Sequence, residues 1–320
     1  MKKQQLFHFL RAPQPIMLLL ALLSTANCVP KEGCASASSA KISPQVLEQP
    51  KKETKWSSLP ALSMSGLSAQ QKEAFLQFAN EEICPCDCPK SLAGCLQTPE
   101  QCQPAVVLAQ WAIENMRQGV PFDIMVEPLA KEIGLGFSAK PQIIDLASYH
   151  SKGASQPLMT LVEFADFECA HCKTTAVALN TLVKKYPNEI RLVYKHYPLP
   201  AHPMSKVAAI ASEAAGQQGK FWEMHEGLFA SEQPLSEKQI LTIAKRIGFL
   251  PKQLTQFQAD IKSSKVTEKV DNSMKEAQML GLEGTPTIFF NGRPYFLSLD
   301  VSGLEMRIFM EKMRSAATCK

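Results

Sequence analysis

Residues 161–175 read LVEFADFECAHCKTT, with Cys169 and Cys172 three positions apart just after a run that has the character of a buried strand. The strand period of two puts Leu161, Glu163 and Ala165 on one face and Val162 and Phe164 on the other. Three uses of the cysteine pair compete: a metal site, a staple, or chemistry. A zinc site needs four ligands, and no second C-x-x-C or paired histidines lie nearby. A disulfide closing so short a loop stabilises little. Heme attachment needs a histidine after the second cysteine, where Lys173 stands. Chemistry has the stronger physical argument. A helix starting at Cys169 points its free N–H groups at that sulfur and favours the thiolate. A thiolate is the attacking species in disulfide exchange, and a low-pKa thiol is the better leaving group. Cys172, one turn in, is expected to be less exposed, so Cys169 attacks and Cys172 resolves. His171 adds a polar group that should favour the reduced pair.

Two further features sit beside this pair. Glu163 is expected to be at least partly buried, as an acid that exchanges a proton with Cys172; an exposed glutamate on an edge strand is the plain alternative. Gly284-Thr285-Pro286 opens a strand, so Thr285–Pro286 is a candidate cis bond with the Thr285 backbone free to pair with an extended peptide. An ordinary trans turn is the alternative there.

The chain has 320 residues, enough for two domains at roughly 150 residues each. A hydrophobic content of 45% supports a sizeable core, and a net charge of +4 without a basic, aromatic-rich stretch argues against nucleic acid. Residues 1–27 carry Lys2, Lys3 and Arg11, then an apolar run from Ile16 to Leu23, then small residues. That is the pattern of a signal peptide, since a membrane helix needs about 20 apolar residues. It implies export to the periplasm or cell envelope. Cys28 follows directly and offers a lipid anchor, although Thr25 and Asn27 are poor lipobox residues. Export favours disulfides for the ten cysteines.

Residues 28–65, rich in Ser, Ala, Lys and Pro, read as a flexible linker. Residues 66–138 read as a small helical module, with Ser68 capping a first helix and Pro104 opening another that ends at Gly119. Between them Cys84, Cys86, Cys88, Cys95 and Cys102 fall within nineteen residues. From residue 141 strands are expected in QIIDLA, LMTLVEFADF and RLVYKHYPL, then helices from Met204 to Leu280. A hairpin at TPTIFFNGRPYFL turns at Asn291-Gly292, and a last helix spans about 302–315. This order gives an α/β domain with a central sheet.

Together VEFADFECAHC, GTPTIFFNG and AAIASEAAGQQGKFWEMHEGLF resemble the DsbA-like thiol–disulfide oxidoreductases of the thioredoxin superfamily, over residues 141–318. The resemblance implies a thioredoxin fold with an inserted helical subdomain, preceded here by the cysteine-rich module. It also implies Cys169 as nucleophile, Cys172 as resolving thiol, Glu163 as buried acid, and Thr285 with cis-Pro286 at the substrate edge. Ala170 stands where strong oxidants of the family often have proline, while His171 is kept. The implied activity is oxidation of cysteine pairs in client proteins, with a membrane redox partner that recycles the site and no cofactor or metal. A reductase or isomerase kept reduced by a membrane partner is the first alternative. A thiol-based metal-binding or assembly protein is the alternative from another class. For the module, a structural disulfide framework leads, then a redox relay, then a soft-metal site. Five cysteines cannot all pair among themselves, so one pairs elsewhere or stays free, with Cys28, Cys34 and Cys319 as candidate partners. The histidines at 150, 196, 202 and 225 are expected to be structural.

Overall fold

The computed structural model describes residues 55–314. The expected signal peptide, the Cys28 anchor and most of the linker lie outside them, as do Cys34 and Cys319.

A five-stranded sheet in the order β1-β3-β2-β4-β5 carries the fold. Strands β2 (Met159–Ala165) and β3 (Ile190–His196) run parallel, with Glu163 opposite Tyr194. Helix α5 (Ala170–Lys185) connects them. On the other side of β2, β4 (Thr287–Phe290) is antiparallel and pairs Glu163 with Ile288. Burial from Leu161 to Ala165 is continuous because β2 has neighbours on both edges and helices on its faces. That placement settles the environment of Glu163: it sits on a central strand and is fully buried.

β4 turns into the two-residue β5 (Arg293–Pro294) through Asn291 (φ 48°) and Gly292 (φ 80°). Both residues are in the left-handed region that a type I′ turn requires, as the Asn-Gly pair predicts. A Cβ on Gly292 would meet the Gln142 carbonyl oxygen at 2.5 Å, so space as well as φ requires glycine there.

The strand expected at QIIDLA does not form. Ile143 is 97% exposed, and the segment's backbone is used by side chains: Asp145 N–H donates to Glu276, and its carbonyl accepts from Lys195. The first strand is instead β1 (Ser151–Gly153), antiparallel to β3. Five helices fill the inserted region: α6 (Ser205–Gly216), α7 (Phe221–Ala230), α8 (Glu237–Arg246), α9 (Pro251–Ile261) and α10 (Ser264–Met279). They bury a second core around Phe221, Met224, Leu228 and Phe257, which also takes in Cys172.

Before the sheet come α1 (Ala69–Glu81), α2 (Leu92–Gln97), α3 (Gln103–Arg117) and α4 (Asp123–Lys131). Ser68 caps α1 in a full capping box with Gln71, as its sequence predicts. The short α2, inside the cysteine-rich turn, is a helix the sequence pattern did not reveal. Residues 55–65, expected within a flexible linker, are held down: Leu59 and Leu62 are buried, and Trp56 N–H donates to Asn80. Disulfides join Cys84 to Cys95 and Cys86 to Cys102. Cys88 is disulfide-bonded as well.

α3 packs against α11 (Val301–Met313), and one continuous core runs from Phe75, Leu92 and Leu108 to Leu161, Phe290 and Ile308. Within it Arg307 is fully buried between Glu132 and Glu311, and Glu132 also accepts from Phe296 N–H at 2.9 Å. Removing one member of such a cluster leaves an uncompensated buried charge. Arg307→Met should therefore cost about 3–5 kcal/mol in denaturant unfolding. Adding Glu132→Gln and Glu311→Gln should recover much of that loss. An unchanged midpoint for the single variant would mean the cluster is solvated.

Candidate active site

The chain leaves the C-terminal end of β2 at Ala165 and enters α5 five residues later, at Ala170. Asp166 ties this loop down. Its carboxylate is buried and accepts from Glu168 N–H at 2.8 Å, Leu199 N–H at 2.8 Å and the His202 ring at 2.7 Å. That last bond raises the His202 pKa. Glu168 reaches the other way and accepts from Met204 N–H (2.7 Å) and Leu235 N–H (2.9 Å). These two carboxylates clamp the turn before the cysteines to the helical insertion. Sequence reasoning missed both; the only available signal was two acids within three residues of Cys169.

Cys169 is the N-cap of α5, with extended backbone (φ −78°, ψ 120°). Cys169 is 8% exposed, while Cys172, one turn in, is at 0%, and both are free thiols. The expected asymmetry is therefore present in the accessibility. Cys169 is held down to about 5, first by the Cys172 thiol and then by backbone N–H groups of the first turn, against a penalty from burial. Cys172 goes the opposite way: burial, its bond to Cys169 and the nearby Glu163 charge push it far up. When protonated, Cys169 is placed to donate to the Thr285 carbonyl oxygen, 3.4 Å away. Thr285–Pro286 is cis.

Glu163 lies beneath the pair, and burial raises its pKa to about 8. Neither carboxylate oxygen has a hydrogen-bond partner among the described residues. Lys152 exerts a weaker opposing pull from beside Asn180 and Trp222. Tyr194, opposite Glu163 on β3, is buried with its hydroxyl likewise unpartnered. A neutral acid under a thiol that resists ionisation is suited to passing a proton to it.

The His171 ring is exposed; what reaches Cys169 is the residue's backbone N–H. That donor survives substitution by alanine. His171→Ala should therefore shift the redox equilibrium with glutathione by less than about fivefold, the scale of an exposed charge interaction. A tenfold or larger shift would assign the ring a direct role.

Next to Cys169 a groove of about 580 Å³ runs between α5 and the start of α11, lined by His171, Thr174, Val177, Thr285, Pro286 and Val301. Val177 is 66% exposed there. An unfolded chain with an apolar side chain next to its cysteine would find room in it.

A family model described as Thioredoxin matches residues 147–308, about half of the chain. The chain belongs to the thioredoxin family. Among curated relatives, the Na(+)/H(+) antiporter NhaA 1 of Salinispora arenicola is 36% identical over 160 residues. That match covers 50% of this chain and 24% of the relative; NhaA of Herminiimonas arsenicoxydans is 35% identical over 144 residues, 45% and 22% of the two chains. The thioredoxin-family chain thus spans about a quarter of the length of these relatives, and no helix among its described residues is long and apolar enough to cross a membrane. Among solved structures, a thioredoxin-like oxidoreductase from Silicibacter pomeroyi is 31% identical with a TM-score of 0.47, covering 52% of this chain and 93% of that one. The thiol-disulfide exchange protein alpha-DsbA2 from Wolbachia pipientis is 21% identical with a TM-score of 0.46, covering 52% and 88%.

Proposed function

We propose that the protein is exported and oxidises cysteine pairs in client proteins of the cell envelope, with Cys169, Cys172, Glu163 and the Thr285–Pro286 edge as its working parts. The supporting observation is the stabilised Cys169 thiolate, at about 5. A site that favours its own thiolate favours its reduced form, so its disulfide is the stronger oxidant.

In the proposed cycle the pair starts as a disulfide. A client thiolate attacks Cys169 Sγ, the Cys169–Cys172 bond breaks, and Cys172 leaves with the electron pair. Glu163, neutral below about pH 8, hands its proton to the Cys172 sulfur. A second client thiolate then attacks the client sulfur of the mixed disulfide. Cys169 leaves as a thiolate, and the client carries away a new disulfide. Two electrons stay on the reduced pair until a membrane-linked oxidant removes them. The groove beside Thr285 and Pro286 holds the client chain extended during exchange.

The deciding measurement is the equilibrium of Cys169/Cys172 with glutathione. A position near the oxidising end of the thioredoxin-family range, with about 30 mV per 1.4 kcal/mol, is the expected result. A position near thioredoxin's own would reverse the direction and favour a reductase.

A further inference from the structure

Among the described residues, a cluster of metal-ligating side chains outside the active site lies in the helical module. The sulfurs of Cys84, Cys95 and Cys102 lie within 4.8 Å of one another, all buried. Cys86 is bonded to Cys102, which ties a fourth sulfur to one corner of this group. The two bridges do not merely neighbour each other: Cys84 Sγ and Cys102 Sγ, from different disulfides, are 3.7 Å apart. Sulfurs bound 2.3 Å from one tetrahedral cation are separated by about 3.8 Å. One edge of such a tetrahedron is therefore already at the required length.

We infer that the four sulfurs of Cys84, Cys86, Cys95 and Cys102 form a redox-gated site for a soft, thiolate-preferring cation such as Zn²⁺: closed while the two disulfides are intact, open once both are reduced. Backbone positions support this. The bridged Cα atoms stand 6.0 and 5.9 Å apart, and opening each bridge to a metal-bound spacing needs only side-chain rotation. Cys102 is the N-cap of the fifteen-residue α3, so it stands at the positive end of that helix's dipole, which favours a thiolate there. Cys86, the one half-buried member, gives a reductant its point of entry. Four thiolates select soft or borderline cations over Mg²⁺ or Ca²⁺.

The redox step balances with protein dithiols of the thioredoxin type as reductant. One dithiol attacks each bridge and leaves as its own disulfide, so two dithiols deliver four electrons and four protons to four sulfurs. Binding of Zn²⁺ then forms four Zn–S bonds and releases the four thiol protons to water.

The test uses the full chain with Cys169→Ser and Cys172→Ser, so that the active site cannot supply thiolates. The protein is reduced anaerobically with a phosphine, given Zn²⁺, freed of excess metal and treated with an alkylating agent, with each cysteine located by mass spectrometry. One zinc per chain should be retained. Cys84, Cys86, Cys95 and Cys102 should alkylate at least tenfold more slowly than in the zinc-free reduced chain, while Cys88 alkylates equally in both. Because serine substitutions in the module may prevent folding, Co²⁺ in place of Zn²⁺ gives a second readout on otherwise intact protein: the intense visible spectrum of tetrahedral thiolate coordination. Retention of no metal, equal alkylation with and without zinc, protection centred on Cys88, a weak octahedral cobalt spectrum, or equal zinc binding by the oxidised chain would each overturn the inference.

Discussion

Cys172→Ser should convert the protein into a trap. A client disulfide or an activated mixed disulfide meets the Cys169 thiolate, which is ionised at neutral pH because its pKa is about 5, and a covalent adduct forms. Release toward the enzyme's own disulfide needs a second sulfur, and Cys172 is the only other free thiol among the described residues. With that sulfur gone, adducts should accumulate to most of the protein, visible as bands that collapse on reduction. Cys169→Ser should leave almost none, because the remaining Cys172 is at 0% exposure and its thiol is pushed far up by burial. Catalysed client oxidation should be lost in both variants. Adducts on Cys169→Ser alone would exchange the roles of the two sulfurs.

Glu163→Gln has two expected effects of opposite sign. The folded carboxyl titrates near 8, against 4.5 for the unfolded chain. Below pH 4.5 it is protonated in both states and contributes no pH dependence. Between the two values the unfolded chain ionises while the folded one does not, so stability falls as pH rises; above 8 the loss is constant. Glutamine removes this term. The variant should therefore exceed the wild type in stability by an amount that grows from pH 4.5 to 8 and reaches about 3–5 kcal/mol. Turnover should move the other way and fall by ~10²-fold, the usual scale for a lost acid–base group. The inflection near pH 8 in the rate profile should disappear with it. A variant no more stable than wild type at pH 8 would mean that water or Lys152 keeps the carboxylate ionised.

The site was legible in the sequence where its chemistry is local. The strand ending at Ala165, the helix starting after Cys169, and the exposure difference between Cys169 and Cys172 all follow from a few consecutive residues. The Asn291-Gly292 turn was legible for the same reason. What the sequence hid depends on contacts across the fold. Asp166 and Glu168 act on residues 33 to 67 positions away, through Leu199, Met204 and Leu235, and no local period reveals such a clamp. QIIDLA has a strand's composition, yet Lys195 and Glu276 engage its Asp145 backbone and no neighbouring strand does. Whether Glu163 lay at an edge or in the centre was likewise open until β4, more than 120 residues downstream, was seen to pair with β2.

The core shared by α3 and α11 limits how this chain can change over generations. α3 precedes the thioredoxin-family match and α11 largely belongs to it, yet they occlude each other. Gly136, between the module and the sheet in sequence, leaves little slack: a Cβ there would meet Glu132 at 2.9 Å, the Pro294 carbonyl at 3.0 Å and Arg307 of α11 at 3.2 Å. Drift in either part therefore calls for compensation in the other. Among homologues that keep both parts, substitutions along α3 should covary with those along α11, and lineages that lose the module should bear a more polar α11.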